Sequence, residues 1–204
     1  MERLNEQAAV RAATLNLVAP LSQAQFDFAP KPGRWSIGEI VDHVLLAEAL
    51  YREEIGRLID LKRSGRRPYL RRTFEDINVA PLYLPLVVLD WMSRPLTVMN
   101  AFMPAIMRDL ATEYAVLPTR NPDRTTPRRR RNATVLRAEL RTSLAEIDAL
   151  LSANADLDLR EMVSEHPLTG ASNVPQILAF LARHERRHQR QITGVRADQR
   201  FPVL

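Results

Sequence analysis

Asn173-Val174-Pro175-Gln176-Ile177-Leu178-Ala179-Phe180-Leu181-Ala182-Arg183-His184-Glu185-Arg186-Arg187-His188-Gln189-Arg190-Gln191-Ile192 decides the reading of this chain. Its apolar residues, Val174, Ile177, Leu178 and Leu181, then Ile192 and Val195, recur at the spacing of one helix face. Asn173 is a plausible N-cap, and Pro175 is tolerated in a first turn because its missing N–H would be unpaired there anyway. Continued through the gap, the stripe lands on His184, Glu185 and His188. Two imidazoles one turn apart thus stand on or beside the face that should be buried. Arg183, Arg186, Arg187 and Arg190 are assigned to the outward face. Histidines at i and i+4 can aim ring nitrogens at one point and share a divalent metal. The bland alternative is that both rings bond to core carbonyls or lie at the solvent edge. A third histidine elsewhere shifts the balance.

Working back towards the N-terminus, Trp35-Ser36-Ile37-Gly38-Glu39-Ile40-Val41-Asp42-His43 has the pattern of a firmly started helix. Ser36 and Glu39 form a capping box, and Trp35 and Ile40 occupy the two positions of a hydrophobic staple. Ile40, Val44, Ala47, Tyr51, Ile55 and Leu58 keep an inner face to about Lys62, and His43 lies at its edge. Before it, Arg3 to Val18 reads as a first helix that Pro20 helps to end. Ala133 to Ala153 is a third long helix, with Asn132 or Thr134 near its cap and Leu136, Leu140, Leu144, Ile147 and Leu151 in its stripe. His166-Pro167-Leu168-Thr169-Gly170 reads as a loop before the last helix, and no strand signal emerges. Four long amphipathic helices predict an all-α chain, a helix bundle over residues 1–204 as a single domain. In such bundles metal sites are built from side chains on facing helices.

Two stretches fit that plan less directly. Ile77 to Met107 is apolar but is broken by Pro81, Pro85, Pro95 and Pro104 and carries Asp90 and Arg94. A membrane span needs about 20 mainly apolar residues, so a proline-broken helical segment packed on the core or at a dimer interface is preferred. Tyr114 to Asn132 is a loop ending in Arg128 to Arg131. That run could contact phosphates but lacks interleaved aromatics, so nucleic acid is not expected, nor is a membrane partner.

Composition narrows the chemistry. The 204 residues include no cysteine, which excludes disulfides, a cysteine nucleophile and thiolate ligands, leaving His, Asp and Glu to bind metal. The net charge is +5 and comes almost wholly from arginine, since lysine occurs only at Lys31 and Lys62. The N-terminal residues lack a basic-then-apolar signal pattern, which sets a cytoplasmic expectation.

Taken together, Trp35 to His43, His166-Pro167 with Gly170, and His184 to Ile192 resemble the DinB-like superfamily, which includes the bacillithiol transferases. The resemblance covers most of the chain in helix order. It implies a four-helix bundle of up-down-down-up topology, often dimeric, with a divalent metal held by His43, His184 and His188. It also implies thiol chemistry, either S-transfer from a low-molecular-weight thiol or thiol-dependent isomerisation; hydrolase labels in the family rest on analogy. A related domain supplies iron ligands in sulfoxide synthases, but that enzyme type needs a second catalytic domain, which this chain is too short to hold. The segment Ile77 to Met107 departs from the family pattern as an insertion between the second and third core helices.

Three neutral imidazoles leave a divalent ion with an open position. Zinc or nickel is expected, with iron or manganese as alternatives, because histidine-only ligation selects weakly. The partners would be a small thiol and an electrophilic substrate, in a homodimer. Glu185 is a candidate catalytic base or ligand-orienting group; the competing role, a salt bridge with an arginine, is preferred. Asp42 can fall on either side of its helix, Glu39 is best read as the cap, and His166 as a loop brace. The alternative to an enzyme is a non-catalytic metal-binding bundle with a structural or stress-response role.

Overall fold

The computed structural model describes residues 2–72, 123–166 and 170–203. Four long helices dominate: α1 (Glu2–Val18), α3 (Ile37–Arg63), α4 (Ala133–Ser152) and α5 (Val174–Arg196). A short helix, α2 (Gln23–Asp27), lies between the first two. The capping box of α3 forms as expected: the Ser36 hydroxyl accepts from the Glu39 N–H at 3.2 Å, and the Glu39 carboxylate accepts from the Ser36 N–H at 2.9 Å. Asn173 and Gln176 cap α5 in the same reciprocal way. Asn132 caps α4 by accepting from the N–H groups of Thr134 and Val135.

Each of α1 and α3 packs against both α4 and α5. The core divides into two apolar clusters. One joins Val18, Phe26, Ile37, Ile40, Val41, Leu136, Leu140, Ile192 and Val195; the other joins Ile55, Leu58, Ile147, Leu151, Met162, Val174, Ile177 and Leu181. The residue numbers give the sense of the helices: α3 and α4 run from the first cluster to the second, α5 runs back, and α1 ends in the first. Full burial of each large aliphatic side chain contributes roughly 1.5–3 kcal/mol.

The all-helical expectation needs one correction. A three-stranded sheet of β1 (Tyr69–Arg71), β2 (Val163–His166) and β3 (Gly170–Asn173) closes one end. β1 pairs with β2 in parallel and β2 with β3 antiparallel, Val163 lying opposite both Tyr69 and Asn173. The strands are three or four residues long and mostly polar, too short to display alternation. Their ladder follows from where the helix ends place them. The basic stretch after α3 therefore contains β1, and His166 and Gly170, expected in a loop, belong to β2 and β3. The apolar stretch Ile77 to Met107 lies outside the described residues. Among the described residues, no helix is long and apolar enough to cross a membrane.

Candidate metal centre

His43 sits two turns into α3, where the capped start fixes its height. It is buried, and its Nδ1 donates to the backbone carbonyl of Thr125 at 2.7 Å. Thr125 closes a 3-10 turn spanning Asp123–Thr125. The Trp35 ring lies 4.8 Å from the His43 ring, so the residue of the staple pattern also walls the site.

His184 and His188 approach from α5. Their rings stand 4.4 Å apart, at 5.2 and 4.8 Å respectively from the His43 ring. One nitrogen of each of the three rings falls within 4.8 Å of the others. The Nε2 atoms of His184 and His188 are 3.1 Å apart. Tetrahedral ligation with zinc–nitrogen bonds near 2.0–2.1 Å would separate nitrogens by about 3.3 Å, so small ring movements suffice to close the set. His188 Nδ1 donates to the side-chain oxygen of Gln191 at 2.7 Å. Phe180 stacks on His184 with centroids 5.6 Å apart.

These outer bonds fix the chemistry of the inner nitrogens. A neutral ring that donates from Nδ1 carries its lone pair on Nε2. His43 and His188 are both held that way and turn unprotonated nitrogens towards a common point. Burial pushes the His43 ring below its ordinary pKa despite the bond to Thr125. Burial, then the repulsion that protonated rings of His188 and His43 would suffer beside each other, holds His188 down at about 3. His184 is held well below the imidazole range, by burial first and then by the neighbouring histidines. All three rings are therefore neutral at pH 7, the form that ligates metal. Converging lone pairs need a proton or a cation between them, and the donor set suits a divalent ion.

Asp42 and Glu185, the carboxylates adjacent in sequence to the histidines, are already matched. Glu185 is buried and accepts from Arg11 Nε at 2.8 Å, from Arg11 Nη2 at 3.1 Å and from the Thr14 hydroxyl at 2.6 Å. Arg11 also pairs with buried Glu48 and donates to the Leu140 carbonyl and the Ser143 hydroxyl. Glu185 thus ties α5 to α1, the arrangement of the salt-bridge alternative. Asp42 is fully buried and accepts from the backbone and guanidinium of Arg128 and from Arg131. Burial would raise its pKa, but those bonds outweigh it and hold the carboxylate below its ordinary value. Arg131 bonds to Glu139 as well, and Arg129 to Glu39. Arg128, Arg129 and Arg131 are thus bonded to acids on α3 and α4, which the phosphate reading did not anticipate.

His166 ends β2 and is not part of the three-ring cluster. Arg187 departs from its outward-face assignment: it is partly buried, and its charge bears on all three rings. Sequence reasoning missed Thr125, Gln191, Trp35 as a wall, and Arg11. Gln191 alone had a local signal, three residues after His188 on the same helix face. Thr125 and Arg11 lie across tertiary contacts that no local pattern reports.

A family model described as the DinB superfamily matches residues 7–192. No curated protein and no solved structure matches the chain.

Proposed function

Since this chain belongs to the DinB superfamily, we propose that it is a divalent-metal-dependent enzyme, a thiol-dependent S-transferase or related hydrolase. His43, His184 and His188 would be the ligands. The observation that carries this reading is the convergence of three neutral rings, two of them oriented by bonds from their far nitrogens to Thr125 and Gln191. The opposed senses of α3 and α5, with α1 and α4 completing the set, support a bundle of up-down-down-up type as a single domain; the homodimer is proposed on the family resemblance alone.

A divalent cation at this point supplies Lewis acidity, lowering the pKa of a bound thiol or water towards neutrality. The chain's own residues do the positioning. Thr125 and Gln191 hold two rings in the ligating tautomer. Trp35 and Phe180 wall the rings. His184 is the partly exposed member of the set and marks the side from which a substrate enters.

The test begins with metal analysis of the purified protein and of His184→Ala. Loss of metal with the helical fold retained supports an open, functional site, whereas unfolding supports a structural one. A conjugation assay with bacillithiol, mycothiol, glutathione and coenzyme A then tests transfer. One observation favours the alternative of a non-catalytic metal-binding bundle with a structural or stress-response role. Both oxygens of Glu185, the candidate base, are engaged by Arg11 and Thr14. Absence of turnover with every thiol would leave that alternative standing.

A further inference from the structure

Among the described residues, charge around the three rings does not balance. Three neutral imidazoles add no negative charge to a divalent cation. The acids closest in sequence, Asp42 and Glu185, are each matched by arginines: Arg128 and Arg131 for the first, Arg11 for the second. Arg187 brings a further positive charge. It is partly buried, and among the described residues no hydrogen bond or ion pair reaches it; the charge acting on it comes from another arginine, Arg190. By contrast its neighbour Arg186 pairs with Glu6 at 3.0 Å. At 3.6 residues per turn, Arg187 projects from α5 about 160° from Glu185, and so away from the Arg11 network. It follows His184 by three residues, beside the partly exposed ring of the set.

A guanidinium partly withdrawn from water without a counter-charge among the described residues carries a desolvation cost, and its planar fork fits a carboxylate in two-point geometry. We propose that Arg187 is the specificity residue of this centre, and that the ligand entering beside His184 carries a carboxylate which Arg187 binds. The assignment rests on the metal reading above and narrows its substrate class to carboxylate-bearing molecules. A small thiol acid is the simplest member.

The test uses the full chain in a Trp91→Phe background, so that emission comes from Trp35, which lies against the His43 ring. Metal-free protein is titrated with propionate and, in a parallel arm, with inorganic phosphate. Cobalt-loaded protein is titrated with 3-mercaptopropionate and with 3-mercapto-1-propanol, read by visible absorbance. Saturable propionate binding is expected, lost in Arg187→Gln and partly kept in Arg187→Lys. On the cobalt protein, Arg187→Gln should weaken 3-mercaptopropionate roughly tenfold or more, the factor for a charge-assisted hydrogen bond. The neutral thiol should be unaffected. Equal weakening of both thiols, no weakening of either, tighter binding of phosphate than of propionate, or loss of cobalt from Arg187→Gln would each overturn the assignment. Failure of the wild type to take up cobalt would overturn the metal reading instead, and the propionate arm would still decide the role of Arg187.

Discussion

At the residue scale, the neutral histidines make a directional prediction about pH. His188 is held at about 3 when folded, against about 6.5 in an unfolded chain. Between those values the unfolded chain takes up a proton that the folded one refuses. The stability contributed by the neutral ring is therefore complete above pH 6.5 and is lost as pH falls towards 3. Urea midpoints measured at pH 7, 5.5 and 4.5 should fall more steeply for the wild type than for His188→Gln. Arg11 offers a larger effect. It bridges Glu48 and Glu185 inside the protein, so Arg11→Met strands two buried carboxylates and should cost about 3–5 kcal/mol in urea denaturation. Glu185→Gln, which leaves Glu48 to match Arg11, should cost less and leave metal content unchanged. The three histidines were legible because imidazoles interrupt or border apolar stripes at known helical spacing. The direction of Glu185 was not. It lies on the same stripe, and only the presence of α1 with Arg11 and Thr14 decides where its carboxylate turns.

At the scale of elements, the helices were readable because each carries its own cap and stripe. Ser36 with Glu39 and Asn132 with its two amides sit where the sequence placed them. The α2 helix has a capping box too, Ser22 with Gln25, but five residues show no periodicity. The sheet was invisible for a different reason: β1 and β2 are brought together by packing across a long separation in the chain, and neither has an alternating face. Ser36→Ala removes the cap of the helix that carries His43. It should lower stability by about 1 kcal/mol and weaken metal affinity as the first turns fray, measured by thermal melts and by competition with a chelating dye. Gly38 in the same turn approaches α2 closely. A Cβ there would meet the Phe26 carbonyl oxygen at 3.3 Å and the Phe26 ring at 3.6 Å. Gly38→Ala should therefore be destabilising, even though alanine is the better helix former by roughly 0.8–1.0 kcal/mol.

For the whole molecule, the two apolar clusters are joined by helices that also carry polar groups: the three rings and the Arg11 network. A cation that binds the folded chain alone adds stability by mass action, about 2.7 kcal/mol at a hundredfold excess over its dissociation constant. Melting temperature should therefore climb with added zinc or nickel and drop with a chelator. A triple His43→Ala, His184→Ala, His188→Ala variant should show no such response. Thr125 gives the site its reach beyond the helices. Its carbonyl orients the first ring from the connection between α3 and α4, and a few residues on, Arg128 fastens that connection to Asp42, the residue before His43. The grip on a cation is thereby coupled to the conformation of the stretch from Thr125 to Arg128. Thermodynamic reciprocity makes the coupling run both ways: any partner that favours one arrangement of that stretch tunes ion affinity, and the ion tunes that partner's affinity by the same factor.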